Sequence, residues 1–331
     1  MSATYRAAAP VRLDFAGGWT DVPPFSAREG GVVVSAAIGL HARAEVRPGG
    51  TGLRLVAEDL NASLELPDQT ALTRTGPLAL LQAGLRLLPV GPCALTTRSD
   101  APPGSGLGSS GALDVALVAA LSAARGEALD AAEVARLACR LEGVEAGIPG
   151  GRQDQYTAAY GGVLRMEFRD PGATVEPLAL DPAVLAELER RMLLVYTGAS
   201  RFSGATIGRV MAAYERGDRD VTEALHGLRE VAERMVEALR AGDLARIGAL
   251  LDRNWRHQQT LDPGMCTPLM GRLGRALREA GALGGKAAGS GAGGSMFFLG
   301  PDDPAPAAEA ARALGGSLLP VRWAATGVVP C

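Results

Sequence analysis

The chain has 331 residues, with 33 basic and 36 acidic side chains and a formal net charge of −3. That balance, with no block of like charge, argues against nucleic acid as a partner, because binding a phosphate backbone needs a basic stripe. Aromatic residues make up only 4%, which leaves little for base-stacking platforms.

The length suggests two domains and a sizeable buried core. Cys93, Cys139, Cys266 and Cys331 are scattered without metal or redox spacing. With no signal-like segment and no run near the ~20 apolar residues of a membrane helix, the expectation is a cytoplasmic protein without disulfides or membrane attachment. Lys286 is the only lysine and sits in a glycine-rich segment, as if a compact ammonium were wanted there.

In chain order, residues 32–40, 42–47 and 52–57 are β-leaning and separated by turns such as Pro48-Gly49-Gly50. A helix is expected over 77–88 and a strand over 93–98. Residues 101–121 then read APPGSGLGSSGALDVALVAAL. Gly106, Gly108 and Gly111 fit the dinucleotide spacing G-x-G-x-x-G, but Gly289, Gly291 and Gly294 fit it too. No Gly-Lys-Ser/Thr follows, which excludes a Walker A loop. Ser99 to Pro103 and a long β-leaning stretch precede the glycines, which disfavours a first Rossmann turn. What remains is a glycine-rich loop feeding a helix N-terminus, an arrangement that binds phosphate through free N–H groups and the helix dipole. Ser109 or Ser110 is expected to cap this helix, whose all-round apolar sequence implies burial.

Asp130 and Glu133 form a capping-box pattern for a helix to about residue 145. Pro149-Gly150-Gly151 breaks the chain before Arg152-Gln153-Asp154-Gln155, and a strand follows over 163–168. The proline-rich stretch 170–182 places a domain boundary, giving domains 1–175 and 176–331. Beyond it the pattern predicts a strand (192–197), a long charged helical stretch (203–282), a second glycine-rich loop (284–294), a strand (295–299), a helix (305–314) and a last strand (318–323).

Glu142, Asp154 and the group Arg12, Asp14 and Asp21 stand near glycine turns or a helix edge. Singly they read as a solvated charge, a cap and hairpin chemistry. Together they supply a carboxylate for Mg²⁺, a carboxylate beside an acceptor hydroxyl and a cation over the phosphoryl group, the parts of phosphoryl transfer. His41, His226 and His257 lack metal or triad spacing. Cys139 reads as a small buried hydrophobe.

Three separated motifs resemble the GHMP kinase superfamily: APVRLDFAGGWTD at 9–21, PPGSGLGSSGA at 102–112 and KAAGSGAGG at 286–294. GGWTDVPP, GRQDQYTAAYGG and YTGASR further resemble the branch of D-glycero-D-manno-heptose 7-phosphate kinases and L-fucokinases, Trp19 leaning to the latter and the block around Arg152 to the former. Gly111 stands where serine or alanine is usual, and Ser295 where glycine is common.

The resemblance implies an α+β fold, with an N-terminal β-α-β-α domain and a ferredoxin-like C-terminal domain. Its further implication is an ATP- and Mg²⁺-dependent kinase phosphorylating a small sugar or sugar phosphate, foremost the anomeric hydroxyl of D-glycero-D-manno-heptose 7-phosphate, with L-fucose as the alternative. Pro103, Gly104, Ser105, Gly106, Gly108, Ser109 and Ser110 would hold ATP, and Ser110 and Glu142 would ligate Mg²⁺. Asp154, held by Gln153 and Gln155, would orient or deprotonate the sugar hydroxyl, and Arg12 would offset phosphoryl charge. Thr20, Asp21 and Gln153 would meet the sugar, Arg152 and Arg201 a phosphate already on it, while Gly289, Gly291 and Gly293 line the cleft. Lys286 would support that third loop, with direct phosphate contact left open. A homodimer is compatible with such a chain. A non-catalytic binding protein of the same fold and a nucleotide-dependent oxidoreductase are the readings from other classes.

Overall fold

Runs of valine and alanine with both faces buried make the first fifty residues into long paired strands. A computed structural model describes residues 3–76, 78–170, 172–198 and 204–330. The elements in order are β1 (Tyr5–Ala16), α1 (Phe25–Glu29), β2 (Gly31–Pro48), β3 (Leu53–Ala57), β4 (Ala62–Leu66), α2 (Ala79–Leu87), β5 (Cys93–Ser99), α3 (Ser109–Ala124), α4 (Ala131–Arg140), α5 (Gln153–Tyr160), β6 (Val163–Arg169) and β7 (Gly172–Pro177). They continue with α6 (Pro182–Arg191), β8 (Met192–Tyr196), α7 (Gly204–Glu215), α8 (Arg219–Ala241), α9 (Leu244–Leu261), α10 (Pro268–Glu279), β9 (Gly284–Ala287), β10 (Ser295–Leu299), α11 (Ala305–Ala313), β11 (Ser317–Leu319) and β12 (Val329–Pro330).

The first sheet is eight-stranded, in the order β12-β1-β2-β5-β3-β4, with β6 on β2 and β7 on β6. The second has the order β11-β8-β10-β9, and its strands pair antiparallel. Numbered within that half of the chain, this is 4-1-3-2 with helices between β8 and β9 and between β10 and β11, the ferredoxin-like pattern. The fold is therefore α+β, as expected. The expected boundary after residue 175 falls within β7, and β12 returns to pair with β1.

Several expectations change. Residues 32–47 form one strand rather than two: the register with β1 shifts between Pro10 and Val11, leaving Gly39 and Leu40 as extra residues on β2. Neither Ser109 nor Ser110 caps α3. Its N-cap is Gly108 at φ 74° with no side-chain bond, so the serine hydroxyls are left for other partners. The capping box of Asp130 and Glu133 is present, and a π-helical turn, Leu141–Glu145, extends α4. The second glycine-rich segment does not begin as a loop, because residues 284–287 are β9 and the loop starts only after Ala287.

A core under the first sheet takes Val115, Leu117, Val118 and Leu121 from α3 and also Val231, Ala232 and Met235 from α8. A second core behind the second sheet includes Trp19 and Val22 from the loop after β1 and Phe25 from the start of α1. Each half of the chain thus contributes to the core of the other, and the two glycine loops meet between them.

Candidate active site

β1 is the element that organises the site. Pleating turns Arg12 and Asp14 to the same side of the strand, and both are almost fully buried. The Arg12 Nε and Nη2 each lie 2.8 Å from Asp154 Oδ1, a fork-shaped grip on one carboxylate oxygen. Its Nη1 donates to the Gly106 carbonyl at 2.7 Å and the Ala288 carbonyl at 3.1 Å. One guanidinium therefore joins the α3 loop, the start of α5 and the second glycine loop. The second oxygen of Asp154 makes no hydrogen bond among the described residues, and Asp154 lines a cavity of about 300 Å³ between the two sheets.

Gly104, Ser105, Gly106, Gly108, Ser109 and Ser110 form one wall of that cavity, and Gly289, Gly291 and Gly293 form the facing wall. The walls touch backbone to backbone: a Cβ at Gly289 would lie 2.4 Å from the Gly106 carbonyl oxygen, so no larger residue fits. Gln258 holds the facing loop by donating to the Gly289 carbonyl at 2.7 Å.

Glu142, on the π-helical turn, lies at the cavity edge, where burial and then the Asp154 charge push its pKa up to about 7. Gln155 donates to it through Nε2 to Oε2 at 2.6 Å, and the nearby Ser110 and Gln155 side chains partly offset that rise. Asp21 Oδ2 accepts the Arg152 and Gln153 backbone N–H groups at 2.7 and 2.9 Å, capping α5 from outside. Burial outweighs those bonds and raises the Asp21 pKa to about 6. Gln153 also lines the cavity, with a buried Oε1 that has no partner among the described residues.

Three assignments move. Thr20 is fully buried outside the cavity lining; its hydroxyl lies 2.7 Å from the Gly17 carbonyl and accepts the Val32 N–H at 3.0 Å. Its role is to close the Gly17 turn. Arg152 turns away from the cavity, with its guanidinium 5.3 Å from the Phe168 ring centre and 3.7 Å from Asp170. Pro103 stays outside the lining. Arg201 lies outside the described residues.

Lys286 is fully buried on β9 and does not reach the cavity. Its ammonium donates to Asp14 Oδ2 at 2.9 Å and to the Asp14 carbonyl at 2.6 Å, tying β9 to β1. Asp14 itself lines the cavity. Gln258 and the Asp14–Lys286 pair carried no signal beyond residue type, because their partners lie far away in the chain.

The donor set suits a nucleotide with a hard cation. Ser105 and Ser109 present buried hydroxyls without partners among the described residues, beside a helix N-terminus. Glu142 and Ser110 offer oxygens, while no three His, Cys, Asp or Glu side chains converge here or elsewhere among the described residues. Magnesium is held in this manner, by one or two protein oxygens plus phosphate and water.

Residues 76–162 match the family model "GHMP kinases N terminal domain" and residues 235–318 match "GHMP kinases C terminal". The chain belongs to the GHMP kinases, and it is an enzyme of phosphoryl transfer. Within that family it is 30% identical over 308 residues to a D-glycero-alpha-D-manno-heptose 7-phosphate kinase of Campylobacter jejuni, covering 89% of each chain. It is also 30% identical to the bifunctional fucokinase/GDP-fucose pyrophosphorylase of Arabidopsis thaliana, covering 88% of this chain and 29% of that protein. A crystal structure of a D-glycero-D-manno-heptose 1-phosphate kinase from Bacteroides thetaiotaomicron superposes with a TM-score of 0.78 at 27% identity, covering 99% of this chain and 98% of the other.

Proposed function

We propose that this kinase transfers the γ-phosphate of ATP to the anomeric hydroxyl of D-glycero-D-manno-heptose 7-phosphate. The observation that carries the chemistry is the Arg12 grip on Asp154, which fixes one carboxylate oxygen and leaves the other toward the cavity. The heptose phosphate is supported by the Campylobacter relative, matched over 89% of both chains.

In this reading the loop from Gly104 to Ser110 and the α3 N-terminus hold the nucleotide phosphates. Ser110 and Glu142 would hold Mg²⁺, which when bound would screen the phosphate charge. Asp154 accepts the proton of the sugar hydroxyl as that oxygen bonds to the γ-phosphorus. The bond from phosphorus to the β–γ bridging oxygen breaks and ADP leaves. Such a transition state needs placement and charge compensation more than covalent help, and Arg12 supplies both. Asp21 and Gln153 meet the sugar. Arg201 is proposed to meet the 7-phosphate.

The test compares kcat/KM for the heptose with and without its 7-phosphate. A preference of roughly 10–100-fold for the phosphorylated sugar is expected from one charge-assisted contact, and Arg201→Ala should remove most of it by raising KM. Equal values for both sugars overturn the assignment.

A second reading, L-fucokinase, is favoured by Trp19, which lines the cavity within GGWTD, and by the likeness to the plant fucokinase.

A further inference from the structure

Asp114 lies one helical turn beyond Ser110 on the same face of α3. Its side chain is fully buried, and neither carboxyl oxygen meets a donor in good geometry. A buried carboxyl group with no satisfied bond is costly, and native structures rarely keep one without a reason. Its surroundings supply one. The groups acting on it are Glu142, Gln155 and Asp154, with the Gln155 side chain within hydrogen-bonding reach.

Gln155 stands between two acids. Its Nε2 donates to Glu142 Oε2 at 2.6 Å, while its Oε1 is buried and has no partner among the described residues. Three unmatched atoms, the two Asp114 oxygens and the Gln155 carbonyl oxygen, therefore belong to neighbouring side chains. In either protonation state Asp114 can bond that amide: the neutral acid donates to Oε1, and the carboxylate accepts the second Nε2 hydrogen. Burial holds the Asp114 pKa well above the usual carboxylate range, which favours the first arrangement. That arrangement satisfies the Gln155 oxygen and keeps its NH₂ turned to Glu142.

We propose that Asp114 is a positioning residue: by anchoring the Gln155 amide from beneath, it fixes the Glu142 carboxylate in the orientation that holds the nucleotide's divalent cation with Ser110. Asp114 touches neither substrate nor metal and acts through Gln155. The inference rests on the reading of Ser110 and Glu142 as the cation's protein ligands. Outer partners that orient metal ligands typically contribute 10–100-fold to metal affinity.

The experiment is calorimetric titration of the full-length protein with ADP at a series of Mg²⁺ concentrations. Asp114→Leu removes the anchor and should raise the Mg²⁺ concentration for half-maximal tightening of ADP about tenfold, leaving ADP affinity without Mg²⁺ unchanged. Asp114→Asn, which can still donate and accept, should restore most of the wild-type Mg²⁺ dependence. An unshifted Asp114→Leu, or an Asp114→Asn as impaired as Asp114→Leu, overturns the proposal. Should Asp114→Leu fail to fold, Gln155→Met makes the same test: a Mg²⁺ requirement equal to wild type overturns the relay, and a tenfold rise supports it. Glu142→Gln separates the two levels. If Mg²⁺ tightens ADP equally in wild type and Glu142→Gln, the cation-site reading has failed. If Glu142→Gln loses the effect and Asp114→Leu keeps it, only the inference has failed.

Discussion

At Asp154 the two carboxylate oxygens have different tasks, one gripped by Arg12 at 2.8 Å and one left toward the cavity. Asp154→Asn keeps the shape but loses the proton acceptor, so kcat should fall by about 10²–10⁴ in steady-state assays while ADP binding by calorimetry stays near wild type. Asp21 offers a pH test. Its folded pKa is raised to about 6 by burial, so the folded state holds the proton more tightly than the unfolded chain. Its favourable contribution is full below the ordinary value near 4 and is lost as pH rises to about 6. Denaturant unfolding of wild type and Asp21→Asn across that window should show wild type losing roughly 2–3 kcal/mol relative to the variant. At this scale the sequence reveals the kind of residue but not its direction. Arg12, Glu142 and Asp154 all reach the cavity, whereas Thr20 is taken up by its own turn and Arg152 packs over Phe168.

Between elements, the decisive contact is α3 against the start of α5. A Cβ at Gly111 would lie 2.5 Å from the Asp154 Cβ and 3.2 Å from the Gln155 backbone nitrogen, so the α5 backbone would have to move. Alanine would gain about 1 kcal/mol of helix propensity at an exposed site. Here the displacement should dominate, and Gly111→Ala should lower both the unfolding midpoint and kcat, with a stability loss of about 1–3 kcal/mol. The meaning of Gly111 is invisible in one sequence because it depends on a helix some forty residues downstream. Local signals were legible: the capping box at Asp130, the buried run of α3 and the strand at β10 all form where periodicity and capping chemistry put them. The β1 strand was hidden by its Ala-Ala-Ala-Pro start, which alternates in nothing.

Over the whole molecule, the ordered motifs carry the fold, and the pairing that locks its halves together does not show in them. Lys286 and Asp14, both almost fully buried, join β9 to β1 across the chain. Removing one partner leaves a buried uncompensated charge, so Lys286→Met should cost about 3–5 kcal/mol in denaturant unfolding, and adding Asp14→Leu should recover much of that stability. A neutral Lys286→Met would show that the pair is not what ties the sheets together. The same shared strand places Arg12 where both glycine loops converge, which is why the cavity between the halves is proposed as the site of chemistry. The most direct test of that account is incubation of the protein with ATP, Mg²⁺ and either D-glycero-D-manno-heptose 7-phosphate or L-fucose, with the phosphate position on the product read by ³¹P and ¹H NMR. A new phosphate on the anomeric carbon of the heptose 7-phosphate, with little turnover of fucose, is the predicted result. Phosphorylation of free L-fucose without turnover of the heptose phosphate would contradict it.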